Sequence, residues 1–122
     1  MVRTLLAILL LATPAVAAPT QAELVKARAE AAAKIYPVVL ANFAAGRGTV
    51  EDVYRWSVRW LDGEVERTKG KAPLADHAKR MAELETKAKA ARDAGTIPST
   101  DFEIAAYFHV EADLWVLRGK AH

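Results

Sequence analysis

The sequence predicts an all-α protein built as antiparallel helical hairpins, in up-down-up-down order, forming a four-helix bundle or a coiled-coil-like pair. Three observations carry that expectation. Alanine, leucine, lysine, arginine and glutamate dominate the chain, and the alternation of apolar and polar residues that marks strands never lasts more than a few residues. Apolar residues instead recur at helical spacing in four blocks. Those blocks are separated by short stretches rich in glycine, proline and threonine, the residues that stop and start helices.

The first stretch lies outside this scheme. "MVRTLLAILLLATPAVAAPTQ" opens with a basic residue (Arg3), runs through an apolar core from Leu5 to Ala12 and ends in small residues. That order is an export signal, with cleavage expected after Ala17, so residues 1–17 are read as a leader and 18–122 as the domain. The apolar run is far below the roughly 20 residues that cross a bilayer, and no segment of the mature chain is suited to do so. The mature chain then carries 16 basic residues against 15 acidic ones, because Arg3 is lost from a total of 17. Such a balance points to no nucleic-acid partner. The absence of cysteine removes disulfides, thiolate metal sites, a lipidated cysteine anchor and covalent haem attachment together. The expected location is therefore the periplasm or the exterior.

The first helix is expected to begin after Pro19, with Thr20 and Glu23 as a capping box, and to run toward Ala45. Val25, Ala29, Ala32, Tyr36, Val39 and Phe43 make its apolar face. Pro37 lacks a donor and its ring crowds the carbonyl of Ala33, so a kink is expected there, or a full break. Gly46 and Gly48 end this helix. Thr49 caps the next, with Asp52 in its first turn, where negative charge is favoured. That second helix runs to about Lys69. After "KGKAP" the third spans about Pro73 to Ala94, and Gly95 stops it. Asp101 then opens a fourth helix over about Ser99 to Arg118. Connections of this length favour antiparallel neighbours.

Shifting the sequence by 49 positions lays Gly46 on Gly95, Asp52 on Asp101, Gly70 on Gly119 and Lys71 on Lys120, which divides the domain into repeats of about 24–71 and 73–120. "AAGRGTVEDV" with "LDGEVE", and "DAGTIPSTDF" with "VEADLW", resemble the helical hairpin repeat of outer-membrane efflux proteins of the TolC type. The segment "GRGTVEDVYRWSVRWL" is similar to one carried by short exported helical proteins with no assigned activity. The resemblance covers about residues 24–119. It implies a helical periplasmic module; the membrane strands of the efflux family have no counterpart here, so it does not imply a channel.

Polar residues fall inside the expected apolar faces. On helix two, Val50, Val53, Tyr54, Ser57, Leu61 and Val65 form an arc that also contains Glu64, with Trp56 and Trp60 at its edge. On helix four, Phe102, Ala106, Val110, Leu114 and Leu117 form an arc containing Asp113. On helix three Leu74, Ala78, Met81 and Ala88 form a stripe that includes Glu85 and Arg92. Two uses fit the acids. They could make an interior cluster of Glu64, Asp113 and His109 that binds a cation or senses pH. Alternatively they pair with Arg28, Arg92 or other cations to set register between hairpins, which is the better attested use of buried ion pairs. His77, His109 and His122 lack the spacing of a zinc site, and two ligands at His109 and Asp113 are too few for one. No metal, cofactor or catalytic residue is therefore assigned.

Five pairs at i, i+4, among them Glu30 with Lys34 and Asp76 with Arg80, have the orientation of solvated helical ion pairs. Neither a nucleophile elbow nor a phosphate loop is present, so enzyme is the least supported class. Ile104, Phe108 and Trp115 lie opposite the expected core face of helix four, and they are the candidate interaction surface. The expected function is an exported interaction or scaffold module of the cell envelope, whose partner is an envelope protein or a second copy. The alternative is a small periplasmic binder of a metal or ligand at Glu64, His109 and Asp113.

Overall fold

The computed structural model describes residues 17–122, so the expected leader lies outside the described residues apart from Ala17. The described residues form four helices and no strand: α1 (Gln21–Ala44), α2 (Val50–Thr68), α3 (Ala72–Asp93) and α4 (Ser99–Arg118). These bounds lie within a residue or two of the expected ones. Helix α1 passes through Pro37 without a break.

The helix ends show why the sequence divides where it does. Gly46 and Gly95 take φ of 79° and 74°, the left-handed region that glycine enters without a Cβ penalty. Around them the same backbone bonds recur 49 residues apart. Arg47 N–H donates to Asn42 C=O at 2.8 Å and Thr96 N–H to Ala91 C=O at 2.9 Å, closing the terminal carbonyls of each helix. The starts differ. Thr49 and Asp52 form a reciprocal capping box at 3.1 and 3.4 Å. Asp101 cannot, because the residue before its helix is Pro98, which has no side-chain acceptor. Thr20 receives the Glu23 N–H at 3.1 Å, but the Thr20 N–H makes no return bond to the Glu23 carboxylate, so only half of that expected box is made.

Residue pairs across each hairpin fix the antiparallel sense. Arg28 on α1 pairs with Glu66 on α2, while Tyr36, two turns later, meets Trp60, earlier on α2. Between them α1 and α2 come close enough that a Cβ on Gly63 would stand 3.1 Å from the Ala29 Cα. Likewise His77 on α3 stacks on Trp115, His109 meets Glu85, and Arg92 lies over Phe102. The two hairpins join where α2 meets α3. No Cα of α1 lies within 8 Å of one in α4, so α1 and α4 are the outer helices.

The expected face of α1 is borne out: Ala29, Ala32, Tyr36 and Phe43 are buried. On α3 the buried row is Leu74, His77, Met81, Leu84 and Ala88, which adds Leu84 and His77 to the expected stripe. Helix α4 requires a correction. Its buried residues are Ala105, Ala112 and Trp115, with Ile104 and Phe108 half-buried beside them. Val110, Leu114 and Leu117, placed inside by the periodicity, are 68%, 39% and 85% exposed. The helix carries two apolar rows of similar strength, and periodicity cannot choose between them. The choice falls to partners: Tyr54 stacks on Phe108 with centroids 3.9 Å apart, His77 takes Trp115, and two alanines let α3 approach closely.

Candidate functional site

The polar centre of the molecule lies where the hairpins join. Ser57 on α2 and His77 on α3 are both fully buried, and Ser57 Oγ lies 2.7 Å from His77 Nδ1. Arg80, one turn after His77, donates from Nε to Ser57 Oγ at 2.6 Å and from Nη2 to the Ser57 carbonyl at 3.0 Å. Guanidinium can only donate. Ser57 Oγ therefore accepts from Arg80 and gives its own proton to His77 Nδ1, which leaves the His77 proton on Nε2. That Nε2 is buried without a hydrogen-bond partner among the described residues. Burial, reinforced by the nearby Arg80 and His122, holds the His77 pKa down at about 3, so the ring is neutral.

A serine hydroxyl on a histidine has the outline of a nucleophile and its base. Here both side chains are sealed from solvent, and the hydroxyl is already claimed on both sides. The arrangement ties α2 to α3; it offers no surface to a substrate.

Arg80 also packs against aromatic rings. Its guanidinium lies over the Trp60 ring at 4.2 Å and near the Tyr36 ring at 5.5 Å. No carboxylate stands within 4.0 Å of it among the described residues, so the solvated pair expected with Asp76 does not form, and neither do the other four. Burial lowers the Arg80 pKa, while Tyr36, Asp76 and Glu64 work against that. Tyr36 is buried, its hydroxyl has no partner among the described residues, and burial together with Glu83 pushes its pKa up to about 12 against the opposing pull of Arg80. These residues line a solvent-open groove of about 840 Å³ between α1, α2 and the start of α3.

The expected cluster of Glu64, His109 and Asp113 does not assemble. Glu64 lines that groove and pairs with Arg67 at 2.8 Å. His109 sits on the other hairpin, with Nδ1 2.7 Å from Glu85 and Nε2 3.4 Å from Asp113, and Asp113 is 61% exposed. Tyr54, level with Phe108 and Glu111, marks the height of His109 on α2. Glu64 lies ten residues further along, about 15 Å at 1.5 Å per residue. Glu64 and Asp113, which a shift of 49 positions lays on each other, are thus neither neighbours nor alike in burial. Among the described residues no group of three or more His, Asp or Glu side chains is placed to hold a metal ion. Glu85 with His109, and Arg28 with Glu66, serve instead as cross-hairpin ties.

The candidate interaction surface is also relocated. Trp115 is buried and Ile104 and Phe108 are half-buried against the core, so the three form no exposed row. The exposed apolar row of α4 is Tyr107, Val110, Leu114 and Leu117, at spacings of three, four and three. Beside it Tyr54 donates to Glu111 at 2.6 Å, and burial and that bond raise the Tyr54 pKa. Gly46, Thr49, Asp52, Gly95 and Asp101 lie at the hairpin bends as expected, and none of them lines the groove.

No protein-family profile, no curated protein and no solved structure matches this chain.

Arg80 was the residue hidden from sequence reasoning. Its spacing from Asp76 favours an exposed ion pair, yet it turns inward because α2 offers the Ser57 hydroxyl and carbonyl and a tryptophan face. A possible signal was Ser57, a polar residue inside the α2 arc, which needs a buried partner.

Proposed function

We propose that the mature chain is an exported helical interaction module that associates with a second copy of itself through the outer face of α4. The observation that carries this is the row Tyr107, Val110, Leu114 and Leu117. It repeats at the a and d spacing of a coiled coil on an outer helix, with three of its four residues more than 60% exposed. A soluble surface seldom keeps so regular an apolar seam without covering it.

The charges beside the seam favour a parallel pairing. Asp113 precedes Leu114 and Arg118 follows Leu117, so they occupy opposite edges five residues apart. In two parallel helices these are the positions that face each other across the seam, and each Asp113 meets Arg118 of the other copy. Arg118 has no ion-pair partner within 4.0 Å among the described residues. A seam of four residues is short, below about 1,200 Å² of buried surface, so association in the micromolar range is expected.

Sedimentation velocity of the purified protein, from micromolar to millimolar concentration, tests the seam. The expected result is a doubling of mass that Leu117→Glu or Val110→Glu abolishes while far-UV circular dichroism stays helical. Asp113→Arg weakens the dimer, and adding Arg118→Asp restores it. A monomer throughout that range, or a charge swap that restores nothing, would overturn the proposal.

Export and an envelope location rest on the leader pattern at residues 1–17, together with the resemblance of the hairpins to those of TolC-type proteins. No helix among the described residues is long and apolar enough to cross a membrane. Fractionation of the natural host, with the chain recovered from the periplasm and starting at Ala18, is the expected outcome; recovery of the uncleaved chain from the cytosol would refute it.

A further inference from the structure

The groove beside Arg80 combines features that the interaction reading leaves unused. Its floor is apolar and aromatic, with Tyr36, Pro37, Leu40, Trp60 and Leu61. At its inner wall stands a cation with no carboxylate within 4.0 Å among the described residues. Ser57 takes Arg80 Nε and Nη2 and holds the planar group against Trp60, so the guanidinium is fixed before any ligand arrives. Nη1 makes no hydrogen bond within the described residues. A second donor in the same lining is the Tyr36 hydroxyl, which is buried, 4% exposed as a residue, and has no hydrogen-bond partner among the described residues. A buried donor left unmade is costly, and an acceptor that enters from the groove beside Arg80 would satisfy the Tyr36 hydroxyl.

The geometry points to a binding site for an amphipathic monocarboxylate, whose carboxylate takes the free edge of Arg80 and the Tyr36 hydroxyl while its apolar body lies along Trp60, Leu61 and Leu40. Charge at the rim sets the class. Glu64, Asp76 and Glu83 line the groove against Lys71, Lys79 and Arg80, so its lining is balanced, and the three carboxylates disfavour ligands of high negative charge such as nucleotides. An apolar floor of this extent rejects small hydrated anions such as inorganic phosphate, which would desolvate it for no apolar gain. A volume of about 840 Å³ suits a ligand of drug-like size. The site is independent of the α4 seam, which lies on the opposite outer helix, so either proposal can fail alone.

The test is titration of the purified full-length mature protein with octanoate and with 4-phenylbutyrate, followed by calorimetry and by thermal melting. Expected is saturable binding of at least one of them, with a rise in Tm. The neutral 4-phenylbutanol should bind at least tenfold more weakly, and inorganic phosphate not at all. Arg80→Met removes the charge and should abolish binding. Tyr36→Phe keeps the ring, loses only an unpartnered hydroxyl, and should fold at least as stably as the parent while binding several-fold more weakly; it carries the test if Arg80→Met does not fold. Failure of both carboxylates to bind at millimolar concentration would overturn the proposal. So would equal binding of the alcohol, or unchanged affinity in Tyr36→Phe.

Discussion

Lowering the pH from 7 to 5 should destabilise this protein through His77. In the unfolded chain the imidazole titrates near 6.5, whereas in the folded protein burial holds it neutral down to about 3. The sign follows from proton counting: between those values the unfolded state binds a proton that the folded state does not. Stability from this residue is therefore complete above pH 6.5 and is lost as pH falls toward 3. Each pH unit in the fully developed part of that window costs about 1.4 kcal/mol, and the partial titration near 6.5 brings the loss between pH 7 and pH 5 to about 2 kcal/mol. Against a total of about 5–15 kcal/mol for a typical domain, that is readily measured. Urea unfolding followed by far-UV circular dichroism at the two pH values is the assay, and a downward shift of the midpoint by about 1 M is expected.

His109 lies beside Glu85 and Asp113, and His122 beside Asp62. The variant His77→Gln retains both, so the difference between its pH dependence and that of the parent isolates His77. A variant as sensitive to pH as the parent, or a parent whose midpoint does not move, would refute the argument that this ring is sealed and neutral.

Two further outcomes test the helix contacts and ends. Gly63→Val should lower stability by several kcal/mol in urea unfolding, because its Cβ would press on the Ala29 backbone at 3.1 Å and force α1 from α2; a change under 1 kcal/mol would show that the hairpin is looser than the contact implies. Lys69, the residue that ends α2, has φ of 58°, and replacing it with glycine should raise stability by about 1 kcal/mol, read as an upward shift in Tm.

The positions of the helices were legible because their causes are local. Thr49 and Asp52 cap each other within one turn, and Gly46 and Gly95 supply conformations that few other residues adopt, so neighbouring residues suffice to place the ends. The face of α1 was legible too, since its only two aromatics, Tyr36 and Phe43, lie seven residues apart on the same face as Ala29 and Ala32. On α4 the same logic failed. With Ile104, Phe108 and Trp115 on one row and Val110, Leu114 and Leu117 on another, the pattern holds two answers, and the structure takes the row that Tyr54 and His77 can stack against.

The site shows the same division. Glu64 and Asp113 match in the repeat, and that invited a shared role. But equivalence in sequence places two residues at similar points of separate hairpins, which keeps them apart. Arg80, by contrast, was assigned to solvent by its spacing from Asp76.

The sequence by itself determined that this chain is helical, where each helix stops, and that the hairpin bend is used twice. All of these depend on interactions within a few residues. Only the tertiary structure decided which face of α4 is covered, that Ser57, His77 and Arg80 meet at the seam of the hairpins, and that a groove opens beside them. Those outcomes depend on which surfaces from distant parts of the chain fit together, and apolar burial, having no direction of its own, leaves that choice to shape.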